Sequence, residues 1–384
     1  MKYKALIITL LVALGAQAQD TTYQNTATNI LQSNSRLSLR GYAEGNYNQE
    51  IEKDRRHNGK LEMRRMVLFT GYKFNKNTSF VSEIEVEHGN QIFLEQAFVN
   101  HRFNKNINLR AGLLLIPMGI VNEYHEPTTF NGVERPYVDK YIIPTTWREM
   151  GVGFQGIIPN ASLAYQVYVV NGFKSYDDDE ALISASDGFR KGRQKGIGSI
   201  MSSPNLAAKI DYFGVKNLKI GLSTYMGKTQ SSLYDELQSG NDTLSRRADS
   251  SVVGLNMLGI DARYSINRWR FRGQAIYSMI SNTQEYSAFS GNSLTESMYG
   301  YYVEVAFNTL PNQSGHKLFP FLRFESFDTH FGSSENNIDS QRDVITTGLS
   351  WFLHPGVVLK GDFQRIIKET SQQNQLNFGI GIWF

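Results

Sequence analysis

Apolar and polar residues alternate in short runs along most of this chain, and residues 376–384 show the pattern most clearly. From Leu376 to Phe384 every second residue is apolar, and Asn377 and Gly379 are among the residues between them. A period of two places successive side chains on opposite faces of an extended chain, so this run predicts a β-strand with one apolar face. A soluble sandwich would bury that face in a core, whereas a transmembrane barrel would turn it toward lipid.

The same pattern recurs in about sixteen runs of roughly ten residues, which is the strand length that a tilted bilayer crossing needs. The connections alternate between short turns, such as residues 75–77 and 354–356, and long polar stretches, such as residues 172–205 and 226–251. Short periplasmic turns and long external loops are typical of outer-membrane barrels. We therefore predict an all-β, antiparallel transmembrane barrel of about 16 strands over residues 36–384, wide enough to leave an aqueous channel.

The N-terminal residues predict export from the cytoplasm. Lysines precede an apolar run, residues 5–14, and an A-x-A cleavage pattern ends at Ala18. This arrangement predicts a signal peptide, residues 1–18, that is cleaved after Ala18. The polar stretch that follows, residues 19–35, predicts a loose periplasmic lead-in. No later segment is long and apolar enough for a transmembrane helix, so a mature chain that spans a membrane must cross it as a closed barrel.

The C-terminal strand also suggests how the barrel reaches its membrane. A terminal strand that ends in an aromatic residue such as Phe384 resembles the assembly signal found across outer-membrane proteins. This resemblance implies recognition of the strand by the barrel-assembly machinery. We therefore predict that the protein lies in the bacterial outer membrane, in contact with lipid and lipopolysaccharide.

Charged residues mark the face of each strand that needs water. Glu83, Glu85 and Glu87 share one face of the third run, and a row of carboxylates cannot face lipid or a dry core. The second run is apolar on both faces at its centre, which leaves the facing of Arg64 and Arg65 open. The predicted lumen-lining residues are Arg40, Glu83, Glu85, Arg270, Arg272, Arg323 and Lys360. Because charges of both signs occur in the predicted lumen, the wall predicts weak ion selectivity.

Residues 117–147 form a long insert between the fifth and sixth runs. The insert is aromatic, charged and punctuated by prolines, and a long irregular loop in a compact domain is often functional. Residues 141–144 and Trp147 are too apolar for a free loop, which favours packing on the barrel wall. An ordinary exposed loop is the alternative. In its position the insert resembles the third external loop of trimeric porins, which folds into the lumen and narrows it.

Several short stretches resemble the phosphate-selective porin O and P family, especially its forms from the Bacteroidetes. They are Glu95–Val99, Leu109–Gly112, Pro117–Gly119, Trp147–Val152 and Val169–Gly172. The resemblance covers residues 63–172, and the rest of the chain agrees in strand count and in its terminal Phe. It implies a sixteen-stranded homotrimeric porin that passes anions, with Arg and Lys side chains leading to a constriction.

Four cationic residues, Arg110, Arg135, Lys140 and Arg148, are predicted near that constriction. Since the candidate lumen also carries many carboxylates, we predict passive diffusion of small solutes and ions with at most a weak preference for anions or phosphate. The alternative is a non-conducting outer-membrane barrel that acts as a surface adhesin or a structural protein.

The sequence predicts no catalytic residue, no cofactor and no metal site. Residues 221–229 resemble a phosphate-binding loop but have one residue too many between their glycines, and no helix follows. The acidic run Asp177–Glu180 lacks the spaced ligands of a calcium loop, which favours a solvated external loop that bridges to lipopolysaccharide through cations. The formal charge of +3 is scattered along the chain, which excludes a nucleic-acid-binding surface.

Overall fold

The computed structural model describes residues 25–235, 237, 240–311, 313–332 and 340–384. The predicted signal peptide, residues 1–18, lies outside the described residues, as does the first part of the predicted lead-in, residues 19–24. The strands in chain order are β1 (Leu37–Ile51), β2 (Lys60–Lys73), β3 (Thr78–Glu87), β4 (Gln91–Arg102), β5 (Asn108–Leu115), β6 (Arg148–Ile158), β7 (Leu163–Val170), β8 (Lys174–Asp177), β9 (Glu180–Ala181), β10 (Asn205–Tyr212), β11 (Leu218–Lys228), β12 (Gln230–Ser231), β13 (Gly254–Ile266), β14 (Trp269–Ser281), β15 (Ser297–Phe307), β16 (Lys317–Phe331), β17 (Gln341–His354), β18 (Val357–Lys368) and β19 (Gln372–Trp383).

All strands except β8, β9 and β12 form one closed antiparallel barrel, in which β1 pairs with β19. The predicted sixteen-stranded barrel is therefore confirmed. Successive strands are joined by short turns at one end of the barrel, called the short-turn end here, and mostly by longer connections at the other, the long-loop end. The three remaining strands form a small sheet in the order β12-β8-β9.

Burial alternates along the barrel strands, as the sequence pattern predicts. In β19 the side chain of Phe378 is 50% exposed on the outer face, whereas its neighbour Asn377 is completely buried inside. In β1, Leu37 and Leu39 face outward, and Tyr42 lies on the inner face. The outer face is thus apolar and suited to lipid, while the inner face carries the polar and charged side chains.

Two β-bulges place consecutive residues of one strand inside the barrel. Between β1 and β2, Glu44 pairs with Arg65 and Gly45 with Met63, so that Arg64 is the additional residue. Arg64 and Arg65 both contact interior carboxylates, because a bulge interrupts the alternation of side chains. This geometry determines the facing that the sequence left open.

The second bulge lies between β3 and β4. Glu83 pairs with Gln96, and Ile84 pairs with Leu94, so Glu95 is the additional residue of β4. Glu95 and Gln96 are both buried on the interior side, whereas Leu94 is exposed outside. A strict period of two would have placed Glu95 and Gln96 on opposite faces. The bulge therefore adds a carboxylate to the interior at the middle of the wall.

The helices are α1 (Thr26–Gln32), α2 (Val138–Tyr141), α3 (Asp242–Ser250) and α4 (Thr283–Ser290). Helix α1 precedes β1, α2 lies between β5 and β6, and α3 and α4 lie in connections at the long-loop end. Asn25 caps the N-terminus of helix α1, because its side chain accepts a hydrogen bond from the Thr28 amide. Over these residues the lead-in is helical rather than loose, because Ala27 and Ile30 are buried against interior residues of the barrel. Among the residues that the structure describes, no helix is both long and apolar enough to cross a membrane.

Candidate constriction site

Residues 116–147, which join β5 to β6 and are called the crossing segment here, contact inner side chains on several sides of the barrel. The backbone amide of Ile120 donates to Gln274 of β14 at 2.8 Å, and that of Val133 donates to Asp362 of β18 at 2.6 Å. On another side, His125 contacts Glu83 of β3 at 3.0 Å. Because these strands belong to well-separated parts of the closed sheet, the segment joins several sides of the wall.

Apolar packing supports the end of this segment, as the sequence pattern predicted. The Trp147 side chain is completely buried, and its ring lies 4.5 Å from that of Phe173, centroid to centroid. Val138, Ile142 and Ile143 are also buried in the same core. The crossing segment is therefore packed against the wall rather than free in solvent.

Helix α1 fills part of the interior nearer the short-turn end and contacts the same segment. The amide and hydroxyl of Thr26 both donate to Glu126 at 2.8 Å. The side chain of Asn25 donates to the carbonyl oxygen of Glu123 at 2.8 Å, and the indole of Trp383 donates to the Thr26 hydroxyl at 2.9 Å. The helix is thus bonded both to the crossing segment and to the last strand of the barrel.

Two cavities flank this filled region. The larger, toward the short-turn end, has a volume of about 1080 Å³ and is lined in part by Arg110, Tyr124 and Lys219. The smaller, toward the long-loop end, has a volume of about 110 Å³. It is lined by eight basic residues (Arg64, Arg65, Arg135, Lys140, Arg148, Arg190, Arg193 and Lys195) and six acidic ones (Glu44, Glu85, Glu87, Glu95, Glu134 and Asp139). We call the smaller one the upper cavity.

The structure brings together three of the four residues predicted at the constriction. Arg135, Lys140 and Arg148 all line the upper cavity. Arg110 does not join them, since it lines the larger cavity and its guanidinium lies 4.7 Å from the Phe98 ring centroid. The reason is its position early in β5, toward the short-turn end, whereas Arg148 begins β6 at the long-loop end.

The seven predicted lumen-lining residues lie on the interior side of the wall. Four of the five cations among them contact a carboxylate or an aromatic ring. Arg323 contacts Glu325 at 2.8 Å and Glu304 at 3.5 Å, and it also donates to backbone carbonyls of the crossing segment. Arg272 contacts the same Glu304 at 3.0 Å. Two further cations lie against aromatic rings, with Arg270 4.0 Å from the Phe319 centroid and Lys360 3.9 Å from that of Phe130. Arg40 is half-buried. These strand cations therefore connect inner residues of neighbouring strands with one another and with the crossing segment.

Three cations that the sequence analysis did not single out come from the connection between β9 and β10. Arg190, Arg193 and Lys195 line the upper cavity, and within the described part of the chain no carboxylate lies at ion-pair distance from any of them. Arg193 instead donates to the carbonyl oxygens of Pro144 and Thr146. The signal in the sequence was the close spacing of basic residues at 190, 191, 193 and 195.

The electrostatics of this group follow from its burial and from the like charges around it. Burial lowers the pKa of the Arg193 guanidinium, and the neighbouring Arg190 and Arg148 lower it further. Burial likewise lowers the pKa of the Lys195 ammonium, with Arg193 and Arg148 adding to the effect. Like charges held close together, with the carboxylates of the lining beyond ion-pair distance from these three cations, create a local positive potential that favours an anion.

Comparisons with known proteins agree with this geometry. A family model described as phosphate-selective porin O and P matches residues 40–375. An uncharacterized protein of Aquifex aeolicus (strain VF5) is 30% identical in an alignment of 378 positions that covers 93% of this chain and 82% of that protein.

Two solved structures are among those with a similar fold. The outer membrane channel DcaP of Acinetobacter baumannii superposes with a TM-score of 0.61 and 12% identity, over 91% of this chain and 97% of that one. An anion-selective porin from Comamonas acidovorans has a TM-score of 0.58 and 12% identity, over 91% of this chain and 99% of that one. At this identity the two likenesses concern the fold.

We expect the substitution Trp147→Ala to destabilise the barrel by about 3–5 kcal/mol, because it leaves a cavity where a fully buried indole joins the crossing segment to the wall. The matched control is Trp351→Ala, since Trp351 is 43% exposed on the outer face. Urea unfolding of both variants in lipid vesicles, followed by far-UV circular dichroism, measures the difference. Equal losses of stability would contradict the role assigned to Trp147.

Proposed function

The chain belongs to the phosphate-selective porin O and P family, and from this premise we propose that small anions diffuse passively through it past the upper cavity. It is an outer-membrane porin, and its family and fold indicate a channel rather than an enzyme. The finer steps of the proposal concern which residues select the solute and which segments narrow the path.

The observation that carries the proposal is the distribution of charge inside the barrel. Several strand cations are paired with carboxylates, as Arg323 and Arg272 are with Glu304, and others pack on aromatic rings. In the described chain, by contrast, no carboxylate lies at ion-pair distance from Arg190, Arg193 or Lys195. The lining of the upper cavity has an excess of two basic residues, from eight basic against six acidic. A local positive potential of this size favours anions without excluding cations, because the carboxylates lie in the same lining.

The predicted residues Arg135, Lys140 and Arg148 belong to this proposed selectivity region, together with the three cations of the β9–β10 connection. Arg110 belongs to a second stage at the other end of the path, in the larger cavity. A solute entering from the long-loop end would thus meet the basic group first and the crossing segment next. The crossing segment and α1 set the narrowest part of the path in this proposal.

We also propose that residues 1–18 are removed on export and that the C-terminal strand ending in Phe384 is recognised by the barrel-assembly machinery. The family resemblance supports a homotrimer. The acidic run Asp177–Glu180 spans the turn between β8 and β9, in which Asp178 and Asp179 have positive φ. Such a run suits contact with lipopolysaccharide through bridging cations. Lipopolysaccharide is therefore the partner that we propose for the long-loop end of the barrel.

The double substitution Arg193→Gln with Lys195→Gln tests the selectivity region. We expect it to lower the ratio of anion to cation permeability on the order of twofold, because two unpaired positive charges leave the path. Reversal potentials of the reconstituted protein in a potassium chloride gradient, and then in a potassium phosphate gradient, measure the ratio.

The matched control for this test is Lys191→Gln, because Lys191 is in the same connection but is exposed and paired with Asp187 at 3.0 Å. Its reversal potential should equal that of the unmodified protein. A double variant that behaves like the control would refute the assignment of selectivity. The complete absence of channels from the unmodified, folded protein would favour the alternative of a non-conducting adhesin or structural barrel.

Deleting residues 25–35 tests whether α1 narrows the path. We expect a larger single-channel conductance, because the deletion removes the helix that is bonded to Glu126 and Trp383 inside the barrel. The substitution Gly71→Val should act in the same direction, since a side chain at Gly71 would overlap Ile30 of α1.

The control for the second variant is Gly315→Val, at a glycine that has open space around its α-carbon. Heat-modifiable migration on gels shows that each variant is folded. If both the deletion and Gly71→Val conduct like the unmodified protein, α1 does not limit the path.

A further inference from the structure

Two carboxylates and one imidazole converge deep in the interior, between the barrel wall and the crossing segment. They belong to Glu83 of β3, Glu95 of β4 and His125 of the segment. The exposed fractions of the three residues are 0%, 0% and 2%, and one ligand atom from each lies within 4.8 Å of the others. The sequence gives no hint of this group, because the bulge in β4 and the fold of the segment bring its members together.

The two distances from His125 to the carboxylates are close to those between ligands of one small metal ion. His125 Nε2 lies 3.0 Å from Glu83 Oε1 and 3.6 Å from Glu95 Oε2. In a tetrahedral zinc site with metal–ligand bonds of about 2.1 Å, two ligand atoms are separated by about 3.4 Å. The two measured distances lie on either side of that value. An ion could therefore be bound with little movement of the side chains.

The atoms of these residues that would not bind the ion are held by neighbours. His125 Nδ1 lies 3.2 Å from the Asn122 carbonyl oxygen, to which it donates, and this leaves the lone pair of Nε2 for a metal. Gln96 donates to Glu83 Oε2 at 2.6 Å. The Thr146 hydroxyl donates to Glu95 Oε1. Such outer hydrogen bonds orient the ligands in protein metal sites.

Two buried oxygens, one in the group and one beside it, also indicate a ligand. The hydroxyl of Tyr42 is fully buried and has no hydrogen-bond partner among the described residues, and the same holds for Glu95 Oε2. The Tyr42 ring lies 6.0 Å from the His125 ring. Buried polar atoms without a partner are costly unless something else satisfies them. A bound cation would satisfy Glu95 Oε2 directly.

The balance of charge also favours a cation at this point. Arg148 forms an ion pair with Glu95 at 3.5 Å, but in the described chain no Arg or Lys lies at ion-pair distance from Glu83. Among the described residues, the positive charge in contact with Glu83 would come from a proton on His125 Nε2. A dication would replace that proton and neutralise both carboxylates.

We propose that Glu83, Glu95 and His125 bind one divalent transition-metal ion of the zinc type. A mixed set of imidazole and carboxylate ligands suits Zn²⁺ better than the oxygen-only preference of Ca²⁺ or Mg²⁺. Glu95 also lines the upper cavity, which gives the ion a route of entry. The bound ion joins the crossing segment to β3 and β4 and so fixes the segment in the interior. The proposal concerns metal binding and is tested without measuring conduction, so it stands or falls separately from the proposed function.

The test uses the tag-free, folded full-length mature chain in detergent, stripped with a chelator and then dialysed. We expect isothermal titration with Zn²⁺ to give one site per chain, and Co²⁺ to give the strong visible absorption of a tetrahedral site. The variants His125→Gln and Glu95→Gln should each weaken Zn²⁺ binding by about tenfold or more. Zn²⁺ should also raise the unfolding temperature of the unmodified protein but not that of these variants.

The matched control is His101→Gln, because His101 lies on the same strand as Glu95 but is half-exposed and bonded to Thr78 instead. It should bind Zn²⁺ like the unmodified protein. If His125→Gln does not fold, Glu83→Gln takes its place, since its amide oxygen can still accept the hydrogen bond from Gln96. The absence of a stoichiometric site in the folded unmodified protein, or equal affinity in the ligand variants and the control, would overturn the proposal and leave a protonated His125 between the two carboxylates.

Discussion

The hydrogen bonding of the closed sheet is the constraint on which the rest of this structure depends. Within a bilayer no water is available to the backbone, so every strand must pair on both edges. The chain meets this condition by pairing β1 with β19, from Tyr42 opposite Trp383 to Ile51 opposite Asn374. Once the sheet is closed, alternate residues must face either lipid or the interior. The polar side chains therefore gather inside, where only water, ion pairs or inserted segments can satisfy them.

Water, ion pairs and inserted segments each serve the inner polar side chains in a different part of the barrel. Toward the short-turn end a large cavity remains for water. In the middle, the crossing segment and α1 supply backbone amides and carbonyls to wall residues such as Asp362 and Arg323. Buried ion pairs contribute little net stability, but removing one partner leaves an uncompensated charge at high cost. The paired strand charges thus fix the position of the inserted segment more than they strengthen the barrel.

Sequence reasoning reached the parts of this structure that local periodicity determines. The alternation in residues 376–384 and the row Glu83, Glu85 and Glu87 gave the strands and the inner face, because a strand's facing depends on parity alone. The bulges at Arg64 and Glu95 could not be found this way, since an additional residue changes the parity without any local mark. Helix α1 was missed for a related reason. Its sequence is polar apart from Ala27, Ile30 and Leu31, and its burial depends on a surface that distant strands provide.

The difference between local pattern and distant contacts also separates the strand cations from the cations of the β9–β10 connection. It explains why the candidate site was only partly predicted from the sequence. A strand cation such as Arg272 has fixed neighbours on the adjacent strands, so a carboxylate opposite it, here Glu304, can neutralise it. A cation in a long connection has no such register, and its neighbours are decided by how the connection folds over the barrel mouth. Arg190 and Arg193 donate to backbone carbonyl oxygens there, and Lys195 lies over the Phe93 ring. Under the proposed function, exchanging a few residues of this external connection changes the potential at the entrance and leaves the paired charges of the wall in place. In that proposal the connection contributes to selectivity, whereas the paired wall charges fix the inserted segment.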